Sequence, residues 1–141
     1  MLEQEFERLY LRFRLLHYQE LFSRIRERTG SLSATEASAA EVIFLLGEPT
    51  IKEFADFLNI SQSNATYKIN GLVAKGHVVK VPSQEDKREY RLRATDKFIG
   101  YYGANAGFIR SMMANIYAKF TPEEIGELEK IIKRVLDEAL N

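Results

Sequence analysis

TIKEFADFLNISQSNATYKINGLVAKGHVVKVPSQEDKREYRLRA, residues 50–94, changes period partway along, and that change decides the fold. Ile51, Phe54, Ala55 and Leu58 stand at i, i+3, i+4 and i+7, the buried stripe of a short helix. Thr50-x-x-Glu53 makes a capping box at its start. Asn59-Ile60 is the turn, and Ser61 then caps a helix running to about Lys75 and closed by Gly76. The expected buried face of this second helix is Ala65, Ile69, Leu72 and Val73. From Val78 the period shortens to two. Val78-Val79-Lys80-Val81 is β-branched, 82–88 is a polar turn, and Tyr90-Arg91-Leu92-Arg93-Ala94 alternates apolar with basic. That predicts a hairpin with one face on a core and arginines on the other.

On the N-terminal side, Ser33-x-x-Glu36 is a capping box that starts a helix carrying Ala37, Ala40, Val42, Ile43, Phe44 and Leu46, ended by Gly47-Glu48-Pro49. Before it, residues 3–28 read as one helix with Phe6, Leu9, Tyr10, Phe13, Leu16 and Ile25 at helical spacing, stopped by Thr29-Gly30. On the C-terminal side, Thr95 opens a helix to about Phe120, with Gly100, Gly103 and Gly107 on one face. Thr121-Pro122-Glu123-Glu124 opens the last helix, whose stripe is Ile125, Leu128, Ile131, Ile132, Val135, Leu136 and Leu140. The fold class is therefore mainly α with a small β-hairpin. The order helix, short helix, turn, helix, hairpin over residues 33–95 is that of a winged helix-turn-helix lobe, and 1–32 with 96–141 form a helical region. Apolar groups cover more than one side of the 95–120 helix, so a single neighbour cannot bury them, which predicts pairing with a second copy of the chain.

The formal charge is zero overall but uneven along the chain: residues 61–97 carry 8 basic and 4 acidic side chains, while residues 1–60 carry 7 and 10. A phosphate-facing surface needs its positive charge gathered in this way. On a wheel centred on Ala65, Ile69 and Leu72, the far side of helix 61–75 holds Ser63, Thr66, Tyr67 and Asn70. Ser61, Gln62, Asn64 and Lys68 stand around it. Hydroxyls, amides and a phenol can read donors and acceptors in a major groove. Lys80, Lys87, Arg88 and Arg91 extend this candidate DNA-binding set into a wing at 82–90, and Asp86 is expected to pair with a nearby arginine and set the wing's shape.

These residues resemble the MarR family of bacterial regulators over nearly the whole chain. The motifs are 58–66 (LNISQSNAT), 72–80 (LVAKGHVVK), Asp86-Lys87-Arg88 and Thr95. The resemblance implies a dimeric transcriptional regulator reading a palindromic operator on double-stranded DNA. It implies repression by occlusion of polymerase and relief by a small aromatic or anionic effector. It makes Arg88 the minor-groove arginine and places Thr66, Tyr67 and Lys68 on backbone or bases. It also implies an effector pocket between the helical and winged lobes, for which Tyr10, Phe13, His17 and Phe44 are the candidates here, residues that serve equally as core. Two positions depart from the family pattern: Tyr67 stands where arginine is common, and Phe98 where a glycine often follows the wing. Gly71 lies inside the reading helix at a cost of about 1 kcal/mol against alanine, which close packing would explain.

Other classes find little support. The chain has no cysteine, hence no disulfide and no thiolate metal site. Its acidic, amphipathic start is not that of a signal peptide, no apolar run reaches the ~18 residues of a bilayer span, and a cytoplasmic location is expected. No phosphate-binding loop, dinucleotide fingerprint or His-Glu-x-x-His motif occurs, and His17 and His77 lie on separate elements. Neither an enzyme nor a cofactor is expected. The competing readings are a winged-helix protein-interaction module and an effector-sensing protein without DNA binding.

Overall fold

A computed structural model describes residues 1–24, 32–102 and 107–140. They fall into two compact units, Met1–Ala104 and Asn105–Asn141.

In the first unit the order is α1 (Leu2–Arg24), α2 (Ala34–Leu46), α3 (Ile51–Leu58), α4 (Gln62–Ala74), β1 (Val78–Pro82), β2 (Tyr90–Ala94) and α5 (Asp96–Tyr102). Each start has its expected cap. Ser33 makes the full capping box with Glu36, and Ser61 accepts from the Asn64 N–H. Thr50 makes only half of the predicted box, accepting from the Glu53 N–H at 3.1 Å. Its other neighbours explain the difference. Thr50 bridges Arg91 across to the hairpin, and the Glu53 carboxylate lies 3.9 Å from the Arg91 guanidinium. The α3–α4 turn passes through Asn59 at φ 54°, a left-handed position that asparagine tolerates.

The two strands pair antiparallel from Val78↔Ala94 to Pro82↔Tyr90. The pleat puts Val78, Lys80, Leu92 and Ala94 on one side of the hairpin and Val79, Val81, Arg91 and Arg93 on the other. The first side closes a core made with Leu32, Ala37, Ala40 and Ile43 from the α2 region, Phe54 and Ala55 of α3, Ala65, Ile69 and Leu72 of α4, and Phe98 of α5. Phe98 is buried, edge-on to the buried His77 ring at 6.2 Å. An aromatic thus fills the corner where the wing meets α5. Val73 departs from expectation: it is 38% exposed, because it stands one residue, a rotation of about 100°, beyond Leu72 and so at the edge of the buried stripe.

The second unit holds α6 (Gly107–Lys119) and α7 (Pro122–Arg134), which runs on into a π-helical turn, Val135–Ala139. Thr121 and Glu124 complete a capping box, with Pro122 in the first turn. Neither helix has a buried residue. Ile109, Tyr117, Phe120, Leu128, Ile131, Ile132, Leu136 and Leu140 are all exposed. The expected stop at Thr29-Gly30, Ile25, the stretch joining α5 to α6, and Gly103 lie outside the described residues.

Candidate nucleic-acid interface

Helix α4 divides by face. Ala65, Ile69 and Leu72 are buried, which turns Gln62, Ser63, Asn64, Tyr67 and Asn70 outward, with Thr66 and Lys68 half-buried at the margin. Tyr67 is 80% exposed. Ser61 is occupied at the helix start, where its Oγ accepts from the Asn64 N–H at 3.1 Å and lies 3.2 Å from the Ser63 hydroxyl. Asn70 is joined to the wing: Lys80 Nζ donates to its Oδ1 at 3.3 Å.

The far end of α4 is tied down. Gly76 turns the chain at φ 79°. Its carbonyl accepts from Thr95 Oγ1 at 2.7 Å, and the Lys75 carbonyl accepts from Lys97 Nζ at 2.8 Å. Lys75 itself reaches back to the Glu36 carboxylate at 2.9 Å. Partial burial pushes the Glu36 carboxyl up, but hydrogen bonds from Lys75 and Ser33 outweigh it and hold the group below the usual carboxylate range. Burial, with Lys97 and Lys75 nearby, pushes the His77 imidazole down.

The wing tip is shaped by side chain-to-backbone bonds. The buried Ser83 accepts from the Glu85 N–H at 3.3 Å, and its own N–H donates to the Glu89 carbonyl. Asp86 accepts from the backbone N–H of Arg88 at 3.0 Å. Asp86 therefore orders the turn through the backbone rather than through the guanidinium expected, since an aspartate reaches the N–H two residues on with no long side chain to immobilise. Lys87 and Arg88 stand exposed at the tip.

The strand arginines, on the side of the hairpin away from the core, are paired with acids. Arg91 donates to the Glu48 carbonyl at 3.1 Å and lies near Glu53 and Glu85, at 3.9 and 3.7 Å. Arg93 pairs with the Glu48 carboxylate. Glu48, Glu53 and Glu85 are the participants that reading the sequence missed. Two of them lie outside the 61–97 segment, so a charge count along the chain could not place them beside the wing. Among the cations of that segment, Lys68, Lys80, Lys87, Arg88 and Lys97 have no carboxylate partner among the described residues, and Lys97 is held on the Lys75 carbonyl.

A cleft of about 440 Å³ runs between the start of α2 and the side of α4, lined by Ser33, Thr35, Glu36, Ala39, Tyr67, Lys68, Asn70, Gly71 and Leu72. Gly71 is not tightly packed. A methyl group there would meet only a Glu36 carboxylate oxygen, at 4.0 Å. Of the candidate effector residues, Tyr10 and Phe44 are exposed and Phe13 and His17 half-buried. Arg14 lies over the Tyr10 ring at 5.6 Å, and His17 lies 3.9 Å from Glu41. None of the four lines this cleft. Among the described residues no cluster of His, Cys, Asp or Glu could hold a metal ion, and no helix is long and apolar enough to cross a membrane.

Residues 32–89, which span α2 to the wing tip, match the model of the MarR family. The match spans the winged lobe and less than half of the chain. No curated protein matches it. The MarR-family fold extends over nearly the whole chain. FabT from Streptococcus pneumoniae, solved in complex with DNA, is 22% identical with a TM-score of 0.63, covering 97% of this chain and 96% of that one. A transcriptional regulator from Thermotoga maritima is 19% identical with a TM-score of 0.66 over 96% and 99%. The multiple antibiotic-resistance repressor of Listeria monocytogenes is 19% identical with a TM-score of 0.63 over 99% and 94%. At these identities the likeness is one of fold, a winged helix with flanking helices.

Proposed function

We propose that this chain is a MarR-family regulator that acts as a dimeric, sequence-specific repressor. Helix α4 would enter the major groove of an operator half-site, and Lys87 and Arg88 would reach the neighbouring minor groove. The observation that carries this reading is the outer face of α4. Gln62, Ser63, Asn64, Tyr67 and Asn70 stand there, with Thr66 at the margin and no acid among them, on the same lobe as a wing tip whose two cations have no acidic partner among the described residues. Short hydrogen-bonding side chains suit base edges, and unpaired cations suit phosphates. Support also comes from the fold of FabT, a protein solved with DNA. Arg91, held by Glu48, Glu53 and Glu85, serves in this reading to brace the wing, although sequence alone grouped it with the contacts.

The apolar faces of α6 and α7, which bury none of their own residues, and of α1, which buries only Leu21, support pairing of two copies, because such helices gain by covering one another. Effector relief is part of the proposal, at a site around Tyr10, Phe13, His17 and Phe44 that the second copy would help to close.

Selection from a random duplex pool tests the reading. The enriched sequence should be an inverted repeat with half-sites one helical turn apart, about 34–36 Å. Arg88→Ala should weaken binding to it about tenfold with an unchanged melting temperature, a loss of the size expected for a charge-assisted contact. Failure to enrich any sequence removes the regulator reading in favour of a protein-interaction module.

A further inference from the structure

Lys80 stands on the core-facing side of the hairpin, directly across from Leu92. Leu92 is fully buried while Lys80 is exposed. The core therefore ends between the two, and the lysine stem runs over its edge with the charged head in water. Its ammonium meets α4 at Asn70 Oδ1, 3.3 Å away. An ammonium carries three donors and no acceptor, so only the oxygen end of the amide can face it. The orientation of the Asn70 amide follows from chemistry alone: oxygen toward Lys80, NH2 away from it. Asn70 lies one helical turn beyond Thr66 and Tyr67 on the outward face.

We propose that Lys80 is a positioning residue that fixes the Asn70 amide as a donor, so that the pair selects guanine. This rests on the reading that α4 enters the major groove. A freely turning asparagine is suited to adenine, accepting from N6–H with its oxygen while donating to N7. Here Lys80 draws the oxygen to its own side, where a base donor would meet the ammonium, and the groups turned toward a base are the Nδ2 hydrogens and the remaining Nζ hydrogens. Adenine would set its own N6 donor against them. Cytosine presents only a donor, and thymine a single acceptor at O4. Guanine alone presents two adjacent acceptors, N7 and O6. The arrangement thus inverts the preference that an isolated asparagine would carry.

The test uses the full chain and its Lys80→Met variant, which keeps the apolar stem. Each selects duplexes from a random pool, and the enriched sequences are titrated by fluorescence anisotropy. The position read by Asn70 is the one whose base preference disappears in Asn70→Ala. It should be guanine, and its exchange for adenine should weaken binding about tenfold, within the range of a good base contact. Replacement by 7-deazaguanine, which lacks the N7 acceptor, should weaken binding in the same direction. In Lys80→Met the preference should shrink to about twofold or turn to adenine, whereas loss of a mere phosphate contact would weaken all sequences alike. Adenine at that position in the parent chain, a guanine preference unchanged in Lys80→Met, or an Asn70→Ala variant with every preference intact overturns the inference while leaving the regulator reading standing. Enrichment of no sequence at all overturns both.

Discussion

The winged lobe and the C-terminal helix pair are built from similarly apolar sequence, yet they use it in opposite ways. The lobe turns its stripes inward: Phe54, Ile43, Ile69 and Leu92 are each 0% exposed. In α6 and α7 the stripes are just as regular, but no residue is buried, and Phe120 is 46% exposed. Periodicity reports that a face is apolar, not what covers it. A lobe whose elements fold back within a few dozen residues supplies its own cover, whereas two helices joined by a single turn leave theirs open.

The contrast is sharpest for one residue type in two places. Phe54→Ala should destabilise the chain by about 3–5 kcal/mol, the usual cost of emptying a filled aromatic site. Phe120→Ala should cost well under half of that in urea titrations at low protein concentration. If both variants lose the same amount at every concentration, the two regions do not differ as described. A somewhat smaller effect should follow from charging the helix pair. Ile131→Glu with Ile132→Glu should leave the far-ultraviolet spectrum intact and halve the mass in sedimentation. It should also reduce affinity for a two-site duplex about a hundredfold, as two tied sites become separate ones. An unchanged mass would show that another surface covers these helices. The smallest change strengthens the lobe from within. Gly71→Ala finds its nearest neighbour at 4.0 Å and should raise stability by about 1 kcal/mol, the helix propensity difference alone. A lower melting temperature would mean that the cleft beside α4 needs the glycine's space.

The same division governs what the sequence made legible. The caps at Ser33, Ser61 and Thr121, the α3–α4 turn and the buried triplet Ala65, Ile69 and Leu72 depend on residues three or four apart, and all stand as read. The polar outer face of α4 follows from that triplet by geometry. The surroundings of the wing cations do not. Arg93 meets Glu48, which is 45 positions away, and Arg91 meets the Glu48 carbonyl, 43 away. Summing charge along the chain counted both arginines as available. Asp86 illustrates the same point at short range: an acid beside basic residues suggested an ion pair, but the nearer backbone N–H satisfied it first. Gly71 remains without a packing reason, and Phe98 has a clear one in the corner beside His77.

The central claim is that α4 and the wing tip dock on a duplex, once from each of two symmetric copies. Anisotropy titration of the selected duplex from 50 to 200 mM salt tests it most directly. With Lys68, Lys87, Arg88 and in part Lys80 available per copy, log affinity should fall against log salt with a slope of about −5 to −7, at two chains per duplex. A flat dependence, or half that slope at one chain per duplex, would contradict it.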